Sequence, residues 1–354
     1  MNNLFRITAC LVLPLMLLAV QSCNVHEWPE PPERVQFRLQ LEYSTGMSVA
    51  HYSYDGGSKE ISTLSDEIRN YEFPDGDIRY IIRAYPLFPD GSIADNFIEE
   101  YSDNMDASSG YDCTLDLDLP AGEYRLLVWA DLREHGNEED LYHDTGDFGA
   151  ITLCGEHVAN SDLRDAFRGT ADIKLAADFR EQLPETFVVN MERPLAKYEF
   201  VSNDLQEFIE MQAQLAAAKN NSGSLSQSAE VDLSDFKVVF SYFGYMPDTY
   251  SMFTDKPVDS ATGVTFESRI IQTGDNEASL GFDYIFVNGQ QTATTVQIAI
   301  YDSEGNQLSL TDPVEVPLAR SCHSIMHGQF LLSNASGGIG IDPGFDGDHN
   351  IVIP

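Results

Sequence analysis

The chain has 354 residues, 57 acidic against 20 basic, with a formal charge of −37 at pH 7 and 43% hydrophobic residues. That is apolar material for one or two cores, since a single core stops growing above roughly 250 residues, and it excludes a wholly disordered acidic tail. So much negative charge argues against nucleic acid, and against docking of the folded part on anionic lipid, because both bring like charges together.

Residues 1–22 carry one charge, Arg6, followed by the apolar run Ala9 to Val20. A dozen residues interrupted by Pro14 are too short to cross a bilayer core of about 30 Å, and they read as the apolar region of a secretory signal. The run ends at Val20-Gln21-Ser22-Cys23, a small residue before a cysteine, which resembles the box cut by lipoprotein signal peptidase. On that reading Cys23 carries the acyl chains, each buried methylene adding about 0.8 kcal/mol of membrane affinity. The predicted segments are therefore a signal over 1–22 and a lipidated, Pro-rich tether over 23–34. Of the other cysteines, Cys10 leaves with the signal and Cys113, Cys154 and Cys322 remain. An odd number permits at most one internal bridge, for which Cys113 and Cys154 are the candidates; the alternative is three buried thiols.

From Val35 the text alternates, Val, Phe, Leu, Leu and Tyr on one face and Gln, Arg, Gln, Glu on the other, which predicts a half-buried strand to Tyr43. Strands follow at Ile78–Tyr85 and at Tyr111–Leu119, where Pro120 to Glu123 predicts a hairpin turn into Tyr124–Ala130. Short strands are expected at Phe148–Leu153 and Ile173–Ala176, with a helical turn capped by Ser161 between them, and the acidic stretch Glu134 to Asp147 reads as a surface loop. The next strands are Phe187–Met191 and Ala196–Val201, then a helix over Leu205–Lys219 capped by Asn203 or Asp204, then a polar linker over 220–229. Strands resume at Phe236–Gly244, Ile270–Gln272, Leu280–Val287, Thr294–Tyr301, Val314–Pro317 and Met326–Leu332. Short strands at near-regular spacing with few helices predict an all-β chain of two β-sandwich domains, 35–183 and 184–354.

Five segments resemble the fimbrillin-like surface lipoproteins of type V fimbriae, in particular their anchor-type members. They are Leu119 to Ala130 (LPAGEYRLLVWA), Asp165 to Gly169 with Met191 to Lys197, Val316 to Gly328, and the ending Gly337 to Gly347. Ser321-Cys322 and Ser324 depart from the family pattern, which has Asn with a basic residue, and Thr, at those places. The resemblance implies two transthyretin-like sandwiches in tandem, export as an outer-membrane lipoprotein to the cell surface, and assembly with fimbrial subunits by β-strand addition. In that family a polymerising subunit loses its first strand to a cut after a basic residue. Here Arg34 is the candidate processing site, and a cut there releases the tether without removing a strand, as suits a retained anchor.

Other motifs carry less. His323 and His327 stand i, i+4, but in strand context, and read as exposed strand histidines. Asp342, Asp346, Asp348 and Asn350 lack the spacing of a helix-flanked Ca²⁺ loop, and the acidic loop reads as a solvated rim. No nucleophile elbow, HExxH, P-loop or dinucleotide fingerprint occurs, so neither an enzyme nor a metal or cofactor is expected. Trp129 is expected in the core, and Tyr242 and Tyr245 are candidate stacking residues for a second reading, a lipid-anchored glycan-binding protein of an uptake system.

Overall fold

The computed structural model describes residues 34–55, 58–60, 68–71, 74–107, 113–137, 139, 142–176, 186–219 and 231–333. Cys23, the tether, the polar linker and the ending from Gly337 lie outside them. The described chain is mostly strand, in several sheets, with one α-helix.

The alternation after Arg34 produces the strand Arg34–Tyr43, in which Val35, Phe37, Leu39 and Leu41 are buried and the residues between them face outward. It is the middle strand of three, antiparallel to Cys113–Pro120 and parallel to Phe187–Met191. A four-stranded sheet faces it in the order Ala166–Leu175, Gly122–Arg133, Asp77–Pro86, Glu99–Asp106. Between them lies a core that includes Leu39, Leu41, Ile82, Val128, Phe167, Ile173 and Val189.

The expected hairpin at Pro120 does not form. Cys113–Pro120 pairs with the first strand, whereas Gly122–Arg133 pairs with Asp77–Pro86 and Ala166–Leu175 in the facing sheet. The turn therefore arches across the core, and Leu119 and Tyr124 enter it from opposite sides. Both segments had an apolar face to bury, and a local pattern does not say whether two such faces lie side by side or opposed.

A second two-layered body combines a seven-stranded and a five-stranded sheet. The first runs Ile271–Gln272, Ala278–Phe286, Leu195–Ser202, Cys322–Gly328, Gly46–Asp55, Ser58–Glu60, with Ile68–Asn70 also on Gly46–Asp55. The second runs Thr265–Arg269, Lys237–Tyr242, Thr292–Tyr301, Gln307–Leu310, with Val314–Leu318 also on Thr292–Tyr301. Phe200, Phe240, Leu280, Ile298 and Met326 meet in its core, where Phe240 and Phe266 stack at 4.5 Å. The helix Leu205–Lys219 forms over the residues its periodicity marks and buries Leu205 and Phe208 in this core. Its cap departs from expectation: Gln206 N–H donates to Asn276 Oδ1 (2.8 Å), while the Asp204 carboxylate accepts from Leu332 N–H (2.9 Å) and from Ser202.

Two strands cross the boundary expected near residue 183. Gly46–Asp55 pairs in the second body, and Phe187–Met191 pairs in the first. The reason is directional. Arg34–Tyr43 and Phe187–Met191 run parallel to one another, and the chain continues from each, after a few residues, into strands that flank Cys322–Gly328, again in parallel.

A fifth sheet, Lys256–Thr262, Tyr245–Ser251, Ile151–Leu153, His143–Asp144, lies against the junction. Its Ile151 and Tyr250 join Ile81, Leu127 and Trp129 from the first body and Met47, Leu195, Tyr284 and Phe286 from the second in a separate core. This explains why Asp77–Pro86 is buried at almost every position: one face meets the first core and the other meets the junction core. Trp129 is in the core as expected, fully buried. The acidic loop is only partly a rim, since His143 and Thr145 are buried.

The place of the first strand is testable. Leu39→Ala should lower the free energy of unfolding by about 2–5 kcal/mol, the cost of a buried leucine truncation. The outward-facing Gln36→Ala should stay within about 0.5 kcal/mol; urea denaturation of both variants checks the pair.

Candidate functional site

Two of the segments that carry the family resemblance, Asp165 to Gly169 and Met191 to Lys197, meet at the junction. Arg193 is fully buried, stands between Met191 and the strand Leu195–Ser202, and directs Nε at both oxygens of Asp165 (3.0 and 2.7 Å). Its Nη1 donates to the carbonyls of Ser44 (3.2 Å) and Thr45 (2.9 Å), and its guanidinium lies 4.6 Å from the centre of the Phe167 ring. One side chain thus grips both passages from the first body to the second. Beside it, Arg168 and Glu192 exchange backbone hydrogen bonds (2.8 and 2.9 Å). Gly169 permits this approach, because a Cβ there would stand 2.4 Å from Val189 Cγ1 and 2.9 Å from the Asn190 carbonyl. Burial lifts the Asp165 carboxyl above the usual carboxylate range even though Arg193 opposes the shift.

Asp255, in a left-handed turn (φ 55°), accepts from Arg320 Nη1 (3.1 Å) and Nη2 (2.9 Å), from Arg168 and from Tyr250. Burial would raise this carboxyl, and its partners hold it below the ordinary value. A third carboxylate, Asp283, is fully buried with Arg164 at 2.9 Å, His157 at 2.6 Å and Tyr242 at 2.5 Å. His157 and Arg164 come from the segment before Ala166–Leu175. In the same segment Asn160 exchanges hydrogen bonds with the Phe282 backbone, so it is pinned into the second body. Its short helical turn, Asp162–Arg164, is capped by Ser161 as the sequence indicates. These ions fasten sheets together, and Asp165, Asp255 and Asp283 are each matched by an arginine from another segment.

Arg34, the candidate processing site, begins the first strand. Its Nη2 donates to Glu99 Oε2 (2.9 Å) and to the Asp118 carbonyl (2.7 Å), and its Nε to the Asp118 carboxylate. The residue after it, Val35, is already buried in the core. Side chains of three strands therefore hold the Arg34–Val35 bond in paired backbone.

The other candidates disperse. Tyr242 is not a stacking platform: it is 4% exposed and its hydroxyl bonds Asp283 and Tyr198, because its strand turns that face into the second core. Tyr245 is 52% exposed, beside Phe243 at 65%. Cys113 and Cys322 are free thiols, so the candidate bridge from Cys113 to Cys154 is not formed. Cys113 points into the first core, whereas Cys154 follows the short strand of the junction sheet. His323 is buried rather than exposed, between Tyr71 (2.5 Å) and Glu199 (3.3 Å), while His327 is half-buried. Sequence reasoning missed Asp255 and Asp283, whose neighbouring residues carry no motif.

Comparison with known proteins places the chain as follows. The model of a family of unknown function, DUF6562, matches residues 32–354. Three solved structures are similar. A Bacteroides ovatus protein described as a "putative adhesin" aligns with a TM-score of 0.39 at 10% identity, over 78% of this chain and 76% of its own. Bacteroides thetaiotaomicron proteins described as "putative polysaccharide binding proteins (DUF1812)" align at 0.39 and 10%, over 77% and 79%. The fimbrial anchor protein Mfa2 of Porphyromonas gingivalis aligns at 0.34 and 12%, over 75% and 81%. No curated protein matches the chain.

Removing Arg193 strands Asp165 in a buried site. Arg193→Ala should cost about 3–5 kcal/mol of stability, against less than about 1 kcal/mol for Arg125→Ala, whose partner Asp172 is exposed. Tyr242→Phe should cost about 1–3 kcal/mol, because Asp283 loses a donor; chemical denaturation of the three variants tests this order.

Proposed function

The chain belongs to the DUF6562 family of unknown function, and from that premise we propose that it is a non-enzymatic surface lipoprotein, an anchor or accessory subunit of a fimbrial assembly. Cys23 carries the acyl chains in the outer membrane, the two-layered bodies are transthyretin-like sandwiches in tandem, and partner subunits join by β-strand addition. The observation that carries the reading is the position of the first strand. It begins at Arg34, separated from Cys23 by ten residues, and is paired on both sides with four side chains in the core. Ten residues span at most about 35 Å when extended, so the tether holds the body close to the membrane. Its acidity keeps the protein surface off anionic lipid, and the acyl chains make the contact.

A strand held this way suits a retained anchor, because a subunit that vacates a groove must give up its first strand. The buried ions fit the same role: they cross-link sheets, as a load-bearing linkage requires. The second reading, glycan binding, rests on the exposed pair Phe243 and Tyr245, since Tyr242 is withdrawn into the core.

Mass spectrometry of the mature protein should show an N-terminus at a triacylated or diacylated Cys23, with residues 23–34 retained. Cys23→Ala should abolish palmitate labelling and release the protein from the membrane fraction; persistent labelling, or an N-terminus at Val35, rejects the anchor. Affinity purification should recover filament subunits, whereas saturable oligosaccharide binding lost in Tyr245→Ala replaces the fimbrial reading with the glycan one.

A further inference from the structure

The outer face of the seven-stranded sheet holds a pair of histidines that the reading above does not use. Gly46–Asp55 and Cys322–Gly328 run parallel as neighbours, with Tyr52 and Met326 directed into the second core. Alternation sends His51 and His327 to the opposite face, where Val49, Val201 and Ile325 form a small apolar cluster. His51 Nδ1 lies 2.9 Å from His327 Nε2, with the rings stacked at 5.2 Å and 18°. Both rings are half-buried and reachable from solvent.

Two imidazole nitrogens at this distance share one hydrogen, with one ring donating and the other accepting. Burial, with His51 next to it, pushes the His327 imidazole below its ordinary range, while Glu277 and Glu199 act in the opposite direction. A neutral imidazole is the form that binds metals. Metal–imidazole bonds are about 2.0–2.1 Å long, so adjacent corners of a square-planar site stand about 2.9 Å apart and those of a tetrahedral site about 3.3 Å. The observed separation is the square-planar one.

We propose that His51 and His327 form a two-histidine site for a divalent metal of tetragonal preference, copper(II) ahead of nickel(II), on the outer face of this sheet. Among the described residues no third His, Cys, Asp or Glu completes a metal cluster, so the protein supplies two nitrogens and the remaining corners are open to water. From the neutral pair, binding needs no loss of a proton, because the donating ring carries its hydrogen on the far nitrogen instead; a singly protonated pair releases one proton to solvent. The metal then ties two strands that lie far apart in the sequence, and the acidic surface concentrates the cation around them.

The test is a titration of the detergent-solubilised full-length protein with copper(II) chloride against a chromogenic chelator, with electron paramagnetic resonance on the same samples. One equivalent should bind with superhyperfine coupling to two nitrogens and raise the melting temperature. His51→Gln and His327→Gln should each bind at least tenfold more weakly with an unchanged far-ultraviolet dichroism spectrum, and zinc chloride should bind more weakly than copper. Equal binding by wild type and both variants overturns the proposal. So does loss of the site in His135→Gln, whose ring sits between Asp75 and Asp77.

Discussion

The buried ion pair of Arg193 and Asp165 is the constraint on which the arrangement of the chain depends. Desolvating a guanidinium and a carboxylate costs several kcal/mol each, and their attraction offsets more of this with every further donor that is bonded. Here Nη1 reaches the carbonyls of Ser44 and Thr45, which the chain passes as it leaves the first strand, while Nη2 makes no hydrogen bond among the described residues, and Arg193 itself sits where the chain leaves Phe187–Met191. The pair thus specifies that both passages lie side by side. Two sandwiches joined by a single linker would turn freely; two parallel passages gripped by one side chain, with Trp129, Tyr250 and Phe286 packed beside them, make the junction a core of its own.

That arrangement also determines where charge resides. The acids outnumber the bases nearly three to one, and many of the described bases are spent on cross-links: Arg164 on Asp283, Arg193 on Asp165, Arg79 on Asp131, and Arg168 with Arg320 on Asp255. Other carboxylates, Glu42 and Asp95 among them, are left exposed on the surface, where they repel one another and any anionic neighbour. The buried polar groups of such a body hold neighbouring sheets in register.

Much of the local structure was legible. The first strand, the helix Leu205–Lys219, the Ser161 turn and the burial of Trp129 follow from periodicity, capping chemistry and apolar composition, which act within a few residues. The strands at Glu99–Asp106 and Lys256–Thr262 were not legible. Each is rich in polar residues, lies at a sheet edge and has little apolar face to declare it. Of the site residues, Arg193, Asp165 and Arg168 stood in segments singled out by resemblance. Asp255 and Asp283 did not, because an acid earns its role there only from an arginine brought up from elsewhere in the chain.

The sequence by itself determined which faces of which strands seek burial, that the described residues are mostly strand with one α-helix, and that the acidity belongs to the part beyond residue 22. Tertiary structure alone decided what each face is buried against. It turned the expected hairpin at Pro120 into an arch, sent Gly46–Asp55 into the second body, withdrew Tyr242 to Asp283, and brought His51 within 2.9 Å of His327. The physical reason is range. A period-two pattern reports the pleat of one strand, whereas the choice of partner is made by contacts between residues hundreds of positions apart.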